Sequence, residues 1–386
     1  MLPKKGLSFR KIFNILIIPF FASRIGLQII GFLSLIFPIN SNYPNYQGEN
    51  WFFTPCRFLD IWVRWDSGWY YSIVTEGYTP NFDVQNTMSN IAFFPLYPLL
   101  IKLSSIFAID FGEHKTLFTI FALMVSNISL LVALFLIYRI GEILEFSEDT
   151  RKTILWLILL YPYGFFFSAA YTESVFLMLL AAVFFFCLKS NWFYASIAGM
   201  LLTLTRPLGI LVLIPLSIRY LIAEKWKVKI KDVLCFSLIP IALGLFLYYA
   251  YTITGEFLAP FHNQMAWGKA FQMPWITIFK PKYLHPIHYF LDITFLFLAI
   301  ILIISYFLLK IPKFEWAIHS FFLLILPLFS GTLQSTGRYT SVLIPIYFSI
   351  GLVIEKEKRL KVPIFILFYF IQAVLFAGWA RGYFVV

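Results

Sequence analysis

Charge is scarce in this sequence. Only 13% of its 386 residues are Asp, Glu, Lys or Arg, against roughly 25% in a typical soluble domain. Cysteine is scarcer still: three residues, Cys56, Cys187 and Cys235, with no CxxC spacing. An odd number, two of them in apolar runs, excludes a disulfide framework and a cysteine zinc site. The five histidines form neither HxxxH nor HxH, which argues against a histidine metal centre. No Gly/Ser linker, low-complexity tract or internal repeat divides the chain, so 1–386 reads as a single domain.

What is present is apolar. Hydrophobic residues make up 60% of the chain, and Phe alone fills 46 positions. Runs of roughly 20 apolar residues, enough to cross a hydrocarbon core of about 30 Å, recur along most of the length. A bilayer admits only helices or closed barrels, and the runs lack the alternation of barrel strands. The expected fold class is therefore all-α, a polytopic helical membrane protein. The first run, 12–37, follows four basic residues, is too long for a signal-peptide core and has no small-residue cleavage site after it. It reads as a retained first span.

The net charge of +11 would suggest nucleic acid in a soluble protein. Here it marks loops, because short basic loops stay on the cytoplasmic side. Five such loops occur, at 4–11, 139–152, 225–231 ("KWKVKIK"), 310–313 and 356–361 ("KEKRLK"). All fall inside only if the apolar segment 91–109 does not span. Its two prolines and Lys102 agree, since proline breaks helix hydrogen bonding and a lone lysine is costly at mid-bilayer. Residues 38–115 then form one long outer loop with interfacial helices. The remaining spans fall near 116–138, 153–170, 173–189, 191–205, 208–223, 232–252, 288–309, 316–330, 341–354 and 362–380. With the first they make about eleven, N-terminus inside and C-terminus outside.

This topology gathers the polar-aromatic motifs on the outer face. In "RWDSGWYYSIVTEGY" (64–78), the spacing predicts Trp62, Trp65, Trp69 and Ile73 on one helix face, with Asp66 and Tyr70 a turn apart on another. Aromatics at headgroup depth need no further explanation; Asp66 does, because a carboxylate held against lipid gains nothing unless it is used. It is the candidate general base. Glu173 in "AAYTES" is a helix-start carboxylate with Thr172 as cap, or a second acid that positions an acceptor hydroxyl. Arg206 before Pro207 and Arg338 after Gly337 either snorkel to headgroups or present forks to phosphate oxygens. Arg24, midway through the first span, is too deep to snorkel and should face the bundle interior. Arg64, Trp65, Trp69, Tyr70, Tyr171, Gln264, Trp267 and Tyr339 complete the candidate substrate-binding set, with Arg64 as an orienting or headgroup contact. Glu76 reads as a solvated helix-end acid.

"ASR" in the first span, "RWDSGWYYSIVTEGY", "NIAFFPLYPLL", "YPYGFFFSAAYTESVFL", "LTRPLGILVL" and "GRYTSVLIP" follow one another in order. In this the chain resembles the PIG-V-like mannosyltransferases, integral-membrane glycosyltransferases of the GT-C class. The resemblance implies a mannose donor carried on a polyprenyl phosphate, a lipid-linked or membrane-anchored acceptor, and an active site on the outer face. It also implies an essential carboxylate in the first outer loop, the position of Asp66. Donor phosphate would fall to Arg338, Arg206 and Arg24, and transfer would invert the anomeric carbon. No metal is required because the lipid phosphate leaves as a stable anion; a divalent ion is left open. Two other readings stand beside this one. A transporter or flippase for lipid-linked sugars would show repeats and mid-membrane charges; a non-catalytic membrane subunit would serve a partner transferase.

Overall fold

The computed structural model describes residues 9–42, 51–106, 114–279 and 286–385. Every regular element among them is helical. In chain order the principal helices are α1 (Arg10–Ile36), α2 (Ser67–Glu76), α3 (Leu96–Ser105), α4 (His114–Ile143), α5 (Glu148–Leu160), α6 (Glu173–Leu188), α7 (Trp192–Thr203), α8 (Pro207–Ala223), α9 (Ile230–Thr254), α10 (Pro286–Leu308), α11 (Phe314–Ser330), α12 (Thr336–Thr340), α13 (Ile344–Lys356) and α14 (Lys358–Ala380). Five of them (α1, α4, α9, α10 and α14) run 23–30 residues and are apolar enough to cross a membrane. At 1.5 Å per residue each reaches at least about 34 Å. The chain is an all-helical, multi-pass membrane protein.

The long helices are apolar on all sides, as expected where lipid replaces water. On α9, Ile239, Ala242, Phe246 and Ala250 are buried, while Ile241, Leu245 and Tyr248 remain exposed on the other side. Helix α6 lies at the centre between α4 and α7, and α7 packs in turn on α9; α13 fills the space between α5 and α10. Gly209, at the start of α8, lies directly against the backbone of Leu202 and Thr203, so any side chain there would meet main-chain atoms.

Every expected span coincides with helical residues, but only five of the eleven lie on helices long and apolar enough to cross a membrane, and the one at 153–170 is interrupted. The span placed at 153–170 stops being α-helical at Leu160. Pro162 has no N–H and forces Tyr161 into an extended conformation (φ −53°, ψ 139°). The carbonyls orphaned by this ending are taken by side chains. Arg24 donates to Leu159 O at 3.1 Å and Gly164 O at 3.3 Å, and Gln372 Nε2 donates to Leu159 O and Tyr161 O. Arg24 does face the bundle interior, but its guanidinium is committed to this break and to Ser168 Oγ at 2.9 Å.

Among its described residues the 91–109 segment holds the end of a 3-10 turn (Asn90–Ala92) and the ten-residue α3, which at about 15 Å is too short to span; 107–109 lie outside the described residues. Residues 62–73 differ from the expected single helix. Helix α2 begins at Ser67, and Trp65 just before it is left-handed (φ 48°). The three tryptophans therefore diverge. Trp62 packs on Phe376 at 4.5 Å, Trp65 on Phe384 at 5.2 Å, and Trp69 on Phe93 and Trp267. Glu76, the last residue of α2, is exposed as expected.

Candidate active site

Asp66 occupies the N-cap position of α2, where an aspartate ordinarily accepts a hydrogen bond from the helix's first turn. Its side chain makes no such bond. Thr172, at the N-cap of α6, also leaves its helix uncapped. Both side chains turn to arginines instead: Arg338 Nη1 donates to Asp66 Oδ2 at 3.1 Å, and Arg206 Nε donates to Thr172 Oγ1 at 2.7 Å. Two helix N-termini, each carrying a partial positive charge, thus converge on the same pair of guanidinium groups.

Between the arginines lies Glu173, with 0% of its surface exposed. Its Oε1 accepts from Arg206 Nη2 and lies 3.0 Å from Arg338 Nε. Its Oε2 has no hydrogen-bond partner among the described residues. Complete burial sets Glu173 behind the arginines, where it holds their charge in place. The side of the site open to solvent belongs to Asp66, whose side chain is 31% exposed. Burial opposes the charge on Arg338, but Glu173 and Asp66 outweigh it and raise the guanidinium pKa further.

Rings pack over these charges. The Arg338 guanidinium carbon sits 5.2 Å from the centre of the Tyr171 ring and 5.6 Å from those of Phe166 and Tyr339, within cation–π range. Tyr171 also fixes the main chain of the Asp66 turn, its hydroxyl accepting from Asp66 N at 3.1 Å. Beside Asp66, Trp69 stacks on Phe93, and Trp267 closes edge-on against both at 5.6 and 6.0 Å; Tyr70 packs on Phe93 and Tyr171. Trp267 comes from the segment after α9, whose Gln264 accepts from Lys269 Nζ at 2.8 Å. Burial alone would raise the Tyr339 phenol. Lys269, Arg338 and Arg206 outweigh it and bring its pKa below the usual tyrosine value.

The structure thus brings together Asp66, Glu173, Arg206 and Arg338 with Tyr171 and Tyr339, and sets Trp69, Tyr70 and Trp267 alongside. Trp65 packs away, against Phe384. Arg64 is neither a headgroup contact nor a site wall: it is 2% exposed and donates to Asp60 Oδ2 at 3.0 Å, Val63 O at 2.6 Å and Ala380 O at 2.6 Å. The Asp60 carboxylate also accepts from the N–H groups of Phe52, Phe53 and Thr54. This pair fixes the turn before Asp66 from below.

Three residues escaped the sequence reading. Thr172 looked like a cap and is an arginine partner. Asp60 carried no motif, and a carboxylate in an oily loop was its only signal. Asn263, fully buried, donates to Val84 O and Thr87 O and accepts from Ser89 N, fastening the segment after α9 to the first loop.

No protein-family model and no curated sequence matches the chain. Among solved structures it is similar to an oligosaccharyltransferase of Archaeoglobus fulgidus, solved with a tethered acceptor peptide containing the NVT sequon. Identity is 10% and the TM-score 0.48, over 93% of this chain and 55% of that one. The chain spans about half the length of that protein.

Proposed function

We propose that the chain is a GT-C-type glycosyltransferase that moves a hexose, mannose by the sequence resemblance, from a polyprenyl-phosphate carrier to a lipid-linked or membrane-anchored acceptor on the outer face. The observation that carries this reading is the Arg338 bridge, which joins the partly exposed Asp66 to the buried Glu173 beside Arg206. Fixed cations next to an accessible carboxylate suit a reaction in which an anion leaves while a hydroxyl loses its proton.

In this mechanism Arg206 and Arg338 hold the phosphate oxygens of the donor, supported by the N-termini of α2 and α6. Arg338 spends Nη1 on Asp66 and Nε on Glu173; Nη2 belongs to neither contact and is the group for phosphate. Asp66 takes the proton of the acceptor hydroxyl as its oxygen bonds to the anomeric carbon. The bond from that carbon to the phosphate oxygen breaks on the opposite side, and the configuration inverts. Charge growing on the leaving phosphate meets cations already in place, which is where electrostatic preorganisation acts most strongly. Tyr339 adds a phenolic donor to the same oxygens. Trp69, Tyr70 and Trp267 wall the sugar, with Gln264 for a ring hydroxyl. Glu173 and Arg64 act through their neighbours as positioning residues. Arg24 stays a candidate phosphate ligand only if its contacts at the α5 break are exchanged.

Arg338→Ala is expected to raise the KM for a polyprenyl-phosphate sugar about 10- to 100-fold, the range for a lost charged hydrogen bond. The KM for acceptor should change far less. Steady-state kinetics with each substrate varied in turn measures both, and Arg338→Lys should recover part of the loss. Equal effects on donor and acceptor would mean that Arg338 serves only the fold.

A further inference from the structure

The segment 225–231, "KWKVKIK", joins α8 to α9. The other end of α9 leads into the Asn263 and Trp267 segment beside Asp66. The 25 residues of α9 therefore separate the two regions by about 37 Å. All seven residues are exposed. Trp226, Val228 and Ile230 are 75%, 60% and 74% exposed, values far outside the habit of large apolar side chains. Lys229 is extended (φ −107°, ψ 127°). Residues 227–229 link a turn at 224–226 to the first turn of α9, and the seven residues share exposure: three large apolar side chains interleaved in sequence with four lysines.

This is a built surface, not a slack basic run. Lys225 and Trp226 are left-handed (φ 51° and 64°), a conformation that non-glycine residues keep only when their surroundings hold it. Trp226 N donates to Leu221 O at 2.8 Å, Lys227 N to Glu224 O at 3.0 Å, and Lys229 N to the Tyr220 hydroxyl at 2.8 Å. That hydroxyl donates on to Asp232 Oδ2 at 3.1 Å. Lys229 is neutralised by Glu224. Lys225, Lys227 and Lys231 have no ion pair among the described residues. Lys310, Lys313, Lys356 and Lys358 also have no ion pair among the described residues, but the aliphatic residues among them, Ile311 and Leu360, are not exposed, and the remaining basic residues are mostly paired. Arg139, Arg151 and Lys152 pair with Glu142 and Glu148, while Arg359 and Lys361 pair with Glu357 and Asp149.

We propose that 225–231 is a docking surface for anionic phospholipid headgroups on the membrane face opposite Asp66. Trp226, Val228 and Ile230 enter the interfacial layer, where an indole is at home. Lys225, Lys227 and Lys231 meet the headgroup phosphates. A zwitterionic lipid satisfies the apolar side chains but leaves three lysines without net counter-charge, so the surface selects for negative headgroups.

The test is native mass spectrometry of the detergent-purified full chain, titrated with phosphatidylglycerol and separately with phosphatidylcholine. Wild-type protein is expected to retain phosphatidylglycerol preferentially. Near a membrane surface each lysine contributes about 1 kcal/mol, or roughly five-fold. The Lys225→Gln/Lys227→Gln/Lys231→Gln variant should therefore lose on the order of 100-fold in affinity for the tightest-bound phosphatidylglycerol. Trp226→Ala should weaken both lipids, and Lys356→Gln/Lys358→Gln should leave the preference in place. Because all these positions are exposed, unchanged thermal midpoints separate lost binding from lost fold. Equal retention of the two lipids by wild type, or undiminished phosphatidylglycerol binding by the triple variant, overturns the proposal. Neither result bears on Asp66.

Discussion

Asp66→Asn is expected to insert and fold normally yet lose sugar transfer by about two to four orders of magnitude, the usual contribution of a positioned general base. The substitution changes almost nothing else. Asparagine keeps the shape of the side chain and an oxygen that can accept from Arg338. Arg338 is nearly buried, but it keeps Glu173 as a counter-ion when Asp66 loses its charge. Asp66 does not cap α2, so the helix keeps its start. The Tyr171 hydroxyl still receives the residue 66 main-chain N–H. Only the capacity to take a proton disappears. Initial rates with saturating polyprenyl-phosphate sugar, on protein whose thermal midpoint matches wild type, measure the effect. Full activity in that variant would remove Asp66 from the chemistry.

Glu173→Gln should have the opposite profile, failing first in stability. Glu173 is wholly buried and is the counter-ion that Arg206 and Arg338 share. Breaking a buried ion pair by removing one partner costs about 3–5 kcal/mol, and whole-domain stabilities are only about 5–15 kcal/mol. The variant should therefore show a sharply lowered thermal midpoint in detergent, read by size-exclusion chromatography after heating. Pairing it with Arg206→Gln should restore part of the loss, because the second change removes an uncompensated cation and contacting residues couple. If Glu173→Gln alone is as stable as wild type, the carboxylate is not holding the arginines. Its place would then be nearer the acceptor hydroxyl.

Much of the architecture was legible because lipid imposes simple rules. Apolar runs became helices, five of them long enough to span, and the proline-containing 91–109 segment yielded the short α3. The break at Pro162 was readable in principle, but a continuous apolar run concealed it. What the reading could not supply was partnership. Asp66, Thr172, Glu173, Arg206 and Arg338 lie on segments far apart in sequence, and helical spacing says nothing about which arginine meets which carboxylate. Local rules misled in two places. Thr172 occupies its expected cap position without capping, and the left-handed Trp65 scatters tryptophans that periodicity had aligned. Arg64 looked like an interfacial cation because burial of its guanidinium depends on Asp60, four residues earlier and carrying no motif, and on the distant Ala380.

The central claim is transfer from a polyprenyl-phosphate sugar by this chain alone. The most direct measurement incubates the purified protein in detergent with polyprenyl-phosphate-mannose labelled in the sugar, together with a total lipid extract, and identifies the labelled product. The account predicts a new labelled glycolipid whose anomeric configuration is inverted relative to the donor. No labelled product, from protein that in sealed vesicles carries the intact lipid-linked sugar across the bilayer, would contradict it and identify a transporter instead.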